Sequence, residues 1–140
     1  MPDYPTNASL KAQWLEQGVL ELVLNRTDAA NALNGALSRA LAATLATAAQ
    51  DPAARAVILR GEGKVFCAGA DLKERLANPG KDFEMRRPIV ELWRTMHTFP
   101  KPLVMGINGH ALGGGFELIC HADAAIASIE ATFALPEVNW

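Results

Sequence analysis

Residues 103–121 read Leu103-Val104-Met105-Gly106-Ile107-Asn108-Gly109-His110-Ala111-Leu112-Gly113-Gly114-Gly115-Phe116-Glu117-Leu118-Ile119-Cys120-His121, and this stretch decides the fold. Pro100 and Pro102 end whatever precedes it, because proline lacks an N–H and steers the residue before it away from helix. Leu103 to Ile107 is then a short apolar run of strand type, and Asn108-Gly109 is a turn. Gly113-Gly114-Gly115 opens a helix that continues to His121. A strand delivered through small residues into a helix is the unit from which parallel sheets are built.

Working outward, Ala124-Ala125-Ile126-Ala127 is a further strand, and Val19-Leu20-Glu21-Leu22-Val23-Leu24 and Ala56-Val57-Ile58-Leu59-Arg60 are two more. Between those two, Asn34 to Gln50 sets Leu37, Leu41 and Leu45 four apart among alanines, an amphipathic helix with Asn34 as N-cap and Asp51-Pro52 as stop. Residues 74–99 begin polar, turn at Asn78-Pro79-Gly80-Lys81 and recover helical spacing at Ile89, Leu92, Trp93 and Met96; they read as a mobile loop feeding a helix. The alternation predicts an α/β fold with largely parallel strands and right-handed crossovers. No repeat, low-complexity tract or linker divides the chain, so residues 1–140 are expected to be one domain, with residues 1–14 a loosely ordered leader.

Thirteen basic against fifteen acidic residues leave a net charge of −2 in 140 residues, which supplies no electrostatic footprint for nucleic acid or an anionic membrane. No apolar run approaches the roughly eighteen residues of a membrane-spanning helix. Cys67 and Cys120 have no CxxC partner, and with His97, His110 and His121 they form no recognised zinc spacing. Free thiols, no metal and a cytoplasmic location are therefore expected. Gly61-Glu62-Gly63-Lys64-Val65-Phe66 puts Phe where a dinucleotide fingerprint needs its third Gly, and neither GxxxxGK[ST] nor GxSxG occurs.

Two small-residue turns remain as carriers of chemistry: Phe66-Cys67-Ala68-Gly69-Ala70-Asp71-Leu72 and Gly109 to Glu117. If Gly114 lies in the first helical turn, its N–H has no intrahelical acceptor and sits at the positive end of the helix dipole, suited to a developing oxyanion. Glu117, three residues on, shares its face. Glu137, in Phe133-Ala134-Leu135-Pro136-Glu137, supplies a second carboxylate that could face the first as a general acid–base pair. Spacing alone leaves open the other reading, in which the glycines serve helix–strand packing and both glutamates are solvated.

At these residues the sequence resembles the enoyl-CoA hydratase/isomerase (crotonase) family over about residues 15 to 140. The blocks that carry the resemblance are Asn31-Ala32-Leu33-Asn34, Gly63 to Lys73, Lys101-Pro102, Asn108 to Leu118 and Phe133 to Glu137, in that order. The resemblance implies a spiral of ββα units and a CoA thioester substrate whose carbonyl is polarised by the backbone N–H groups of Ala70 and Gly114. It implies that Arg26, Ala30, Ala68, Ala70, Asp71, Leu72, Lys73 and Gly114 contact the substrate or its CoA moiety. Glu117 and Glu137 match the two glutamates of hydratases, Glu117 activating water and Glu137 protonating C2. The activity implied is reversible addition of water across the 2,3 double bond of an enoyl-CoA, in fatty acid metabolism. No separate cofactor is implied, because CoA belongs to the substrate.

Alternatives within the resemblance are carnitinyl-CoA or hydroxycinnamoyl-CoA hydratases or lyases, which the Leu-Pro-Glu-Val-Asn-Trp ending also resembles, an enoyl-CoA isomerase, and a non-catalytic crotonase-like domain. Arg26 is followed by Thr27-Asp28-Ala29-Ala30, where the family often has proline and basic residues. Family members are usually nearly twice as long, so the chain is expected to be the N-terminal half, truncated before the C-terminal helices. Homotrimers or dimers of trimers are implied for the longer chain.

Overall fold

The structure is a computed structural model describing residues 2–139. Its first strand, β1 (Leu10–Trp14), runs antiparallel to β2 (Val19–Leu24). Parallel to β2 lie β3 (Ala56–Gly61), β5 (Leu103–Ile107) and β7 (Ala124–Ala127), giving a five-stranded sheet in the order β1-β2-β3-β5-β7. A second, smaller sheet is formed by β4 (Val65–Cys67), β6 (His110–Leu112) and β8 (Phe133–Ala134), all parallel. Four helices complete the fold: α1 (Gly35–Gln50), α2 (Leu72–Leu76), α3 (Asp82–His97) and α4 (Gly114–Cys120).

The element order shows the repeating principle. Each of β3 and β5 is followed by a short strand of the second sheet and then by helix, and β7 is followed by β8. Successive ββα units therefore lay one long and one short strand side by side, as the resemblance implied. The short strands β4, β6 and β8 are among the elements periodicity did not resolve, since two or three residues are too few to display a period of two.

Burial explains why the long strands and α1 pack as they do. Residues of β3 and β5 alternate between buried and half-buried positions, and Val57, Leu59, Leu103, Met105 and Ile107 point into one core. Leu37, Leu41 and Leu45 of α1 are fully buried against it. The Asn34 side chain caps α1 by accepting the Leu37 N–H at 2.8 Å. At the other end the Lys101 ammonium donates to the carbonyls of Ala48 and Asp51, both at 2.6 Å, satisfying oxygens the helix terminus leaves without partners.

Two expectations are corrected. Residues 1–14 are not all a loose leader: Leu10–Trp14 is a strand with Leu10 fully buried, and the Tyr4 hydroxyl donates to Asp51 at 2.7 Å. That hydrogen bond, with the Ala53 N–H and the neighbouring Lys101 charge, outweighs desolvation and holds the Asp51 carboxyl below its usual range. Residues 74–99 are not a loop feeding a late helix either. Asp71 caps α2 with bonds from the Lys73 and Glu74 N–H groups, and α3 begins at Asp82 and runs through Pro88. The apolar spacing that starts at Ile89 marks only the half of α3 that meets α1, with Leu92 and Met96 buried.

At the far edge of the large sheet every residue of β7 is exposed, and Ile126, Ile129 and Val138 are open to solvent. No helix among the described residues is long and apolar enough to cross a membrane.

Candidate active site

The two small-residue turns meet. Leu33 and Ala70 form a parallel bridge in which the Leu33 N–H donates to the Gly69 carbonyl at 2.8 Å and the Asp71 N–H to the Leu33 carbonyl at 3.1 Å. This pairing uses the groups on either side of Ala70 and leaves the Ala70 N–H without an acceptor among the described residues. Gly114 opens α4, and its N–H is likewise unpaired among them, as expected for a first-turn amide.

The turns are also close. A methyl group on Gly114 would lie 3.6 Å from the Ala70 nitrogen, and one on Gly69 would lie 3.2 Å from the Gly114 nitrogen and 2.8 Å from the Leu112 oxygen. Gly69, at φ +96°, is thus required both by its backbone conformation and by the space. Gly115 backs directly onto Cys67, which draws α4 against β4.

Both glutamates are at this end of α4. Glu117 is in its first turn with an exposed side chain, its own N–H donating to the Gly113 carbonyl at 3.0 Å. Glu137 arrives by a different route. The Ala111 N–H donates to Thr132 and the Gly113 N–H to the Ala134 carbonyl, at 2.8 and 2.9 Å, so β8 pairs alongside β6. Phe116 and Phe133 pack with ring centroids 6.1 Å apart. The Glu137 carboxylate consequently rests on Gly113, where any side chain would collide with its Oε1. Neither carboxylate has an ion-pair or hydrogen-bond partner among the described residues.

The residues read as substrate or CoA contacts divide. Ala70, Leu72 and Lys73 are exposed along the turn into α2. The Ala68 N–H donates to the Ala30 carbonyl at 3.0 Å, which places both in the wall beside β4. Arg26 and Asp71 are turned toward one another: the guanidinium donates to Asp71 at 2.9 Å and to the Ala32 carbonyl at 2.6 Å. Burial opposes ionisation of Asp71, but bonds from Glu74, Arg26 and Lys73 outweigh it and hold the carboxyl below its usual range. Their side chains brace the turn that carries Ala70.

Asn31 is a positioning residue that sequence reasoning quoted without giving it a role. Fully buried at φ 55°, it accepts the Arg26 N–H at 2.8 Å and donates to the carbonyls of Glu62 and Val65 at 3.0 and 2.8 Å. Asparagine tolerates this left-handed conformation better than most residues, which is the available signal. His110 bonds Thr132 at 2.6 Å between the short strands. Cys67 is buried, which pushes its thiol up to about 12, while Cys120 is exposed and both are free. No cluster of metal-ligating side chains occurs among the described residues.

An α/β spiral whose short strands β4 and β6 lead into turns that set two unpaired amides side by side defines the crotonase fold, and comparison with known proteins agrees. The family model for enoyl-CoA hydratase/isomerase matches residues 15–140. The chain is 37% identical over 132 residues to the hydroxycinnamoyl-CoA hydratase-lyase of Pseudomonas fluorescens, covering 90% of this chain and 48% of that protein. It is 40% identical over 124 residues to the 2,3-dehydroadipyl-CoA hydratase of Escherichia coli K12, covering 89% and 48%. The crystal structure of an enoyl-CoA hydratase from Mycobacterium smegmatis superposes with a TM-score of 0.89 at 35% identity, covering 95% of this chain and 52% of that one. The chain belongs to the enoyl-CoA hydratase/isomerase family. It spans about half the length of the curated relatives it matches.

Proposed function

We propose that the protein is an enoyl-CoA hydratase, adding water reversibly across the 2,3 double bond of a 2-enoyl-CoA thioester. The observation that carries this reading is the pair of unpaired N–H groups, Ala70 and Gly114, with Glu117 and Glu137 at the same end of α4. The thioester oxygen accepts both N–H groups. As the water oxygen bonds to C3, the double-bond electrons move toward the thioester oxygen, and the enolate charge that develops there strengthens both hydrogen bonds beyond their ground-state strength. Glu117 takes a proton from the attacking water, and Glu137 delivers one to C2. Amides held by the Leu33 bridge and by the start of α4 need no rearrangement as charge develops.

In this reading the turn from Ala68 to Lys73, with Ala30, lines the CoA moiety. A homotrimer or dimer of trimers is the assembly this reading gives the longer chain, and two free cysteines suit a reducing cytoplasm.

Hydration of crotonyl-CoA, followed by mass spectrometry as the gain of one water, tests the proposal. Glu117→Gln and Glu137→Gln are each expected to lower turnover by about 10²- to 10⁴-fold while binding of butyryl-CoA stays nearly constant. Equal losses of binding and turnover would assign the glutamates structural roles, and a wild-type protein that leaves crotonyl-CoA unchanged would refute the hydratase reading.

A further inference from the structure

A cleft of about 70 Å³ lies between Ala70 and α3. Its apolar lining is Leu33, Ala70, Met85 and Ile89, and four charged residues border it: Asp71, Glu74, Arg75 and Arg86. Three of these four already have partners. Asp71 is bound by Arg26 and by the first turn of α2, Glu74 accepts the Gly35 N–H at 3.0 Å, and the Arg75 guanidinium donates to Asp82 at 3.2 Å. Arg86 has neither an ion pair nor a hydrogen bond among the described residues.

The cleft therefore presents apolar walls near the carbonyl-binding amide and one uncommitted cation at its border. Apolar walls suit a hydrocarbon segment, and a guanidinium suits a planar carboxylate, which it can hold with two parallel N–H bonds. We propose that Arg86 is a specificity-determining residue that selects acyl groups ending in a carboxylate, so that the substrates are CoA monothioesters of short unsaturated dicarboxylic acids. This rests on the thioester reading above, since it takes the acyl carbonyl to lie at the Ala70 amide.

The test compares two unreactive thioesters of equal chain length, adipoyl-CoA and hexanoyl-CoA, by calorimetry on the purified protein. Adipoyl-CoA is expected to bind about tenfold more tightly, the scale of a charge-assisted hydrogen bond partly screened by solvent. Arg86→Gln should erase that preference and leave hexanoyl-CoA binding unchanged, which also shows that the variant is folded. Arg86→Lys should keep part of it. Arg87→Gln, on the open face of α3 where Arg87 pairs with Glu91 at 3.1 Å, should keep all of it. Equal binding of the two thioesters, or a preference that survives Arg86→Gln, overturns the proposal while leaving the thioester reading intact. Binding of neither thioester overturns both.

Discussion

Replacing Gly69 by alanine tests the geometry on which the site depends, and the structure supplies its own control. At φ +96° an L side chain is strained by about 1–3 kcal/mol. The added methyl would also lie 2.8 Å from the Leu112 oxygen and 3.2 Å from the Gly114 nitrogen, an overpacking that costs a further 1–3 kcal/mol or so. Gly80 has a similar conformation, φ +76°, but nothing within 4 Å of where a methyl would stand. Gly80→Ala should therefore carry the strain alone, and the two variants should differ by about 2 kcal/mol. For a domain of this size that is a difference of roughly 6–8 °C in thermal midpoint. Thermal unfolding followed by circular dichroism measures it. Because the methyl intrudes between the two turns, Gly69→Ala should also weaken butyryl-CoA binding, whereas Gly80→Ala should not. Equal loss of stability in the two variants would refute the argument that Gly69 is required by close approach.

The remaining predictions concern the groups that brace or border the site. Asp71→Asn keeps an oxygen that can cap α2, since asparagine caps as well as aspartate, but should lower stability at neutral pH by about 1–2 kcal/mol through the lost charge-assisted pair with Arg26. The Asp71 carboxyl lies below its unfolded value, so the folded state binds fewer protons; its contribution is complete above about pH 5, begins to fall near pH 4 and is lost as pH drops on through the lower folded value. Denaturant titrations across that range should show a shallower acid loss in Asp71→Asn, and an unchanged slope would contradict the assignment. Cys67, pushed up to about 12, should be roughly 10⁻⁴ thiolate at pH 8 and buried besides. Iodoacetamide should then add once to the native protein, at Cys120, and twice after denaturation, as read by intact mass. Rapid labelling of native Cys67 would show that α4 does not seal β4.

The legible parts of the sequence were those in which a local pattern suffices. The leucines of α1 repeat at helical spacing because one helix face meets one core, and Asn34 and Pro52 mark its ends by chemistry that acts within a turn. The runs at Val19, Ala56 and Leu103 are long enough to show their apolar character, and all three are strands of one parallel array. Less legible was β1. Lys11 and Gln13 lie on its open side, and only pairing with β2 buries Leu10. The start of α3 was also hidden, because its first two turns are polar and only the part facing α1 carries an apolar stripe.

For the candidate site the division is sharper. Sequence alone pointed to Gly114 and Glu117, since one helical turn relates an unpaired first-turn amide to a side chain three residues on. Glu137 was legible as a second carboxylate that could face Glu117, whereas Ala70 entered through the family's blocks of residues. What sets Ala70 beside Gly114 is the bridge from Leu33 to Ala70 and the close approach permitted by Gly69 and Gly115, contacts between segments about forty residues apart. Glu137 reaches the same helix end only because β8 pairs with β6, and Arg86 is left as an uncommitted charge only because α2 and Asp82 engage its neighbours. Local sequence determines which backbone groups are left unpaired and which residues can ionise. Which of them face each other is decided by strand register and close packing, interactions whose partners lie far apart along the chain.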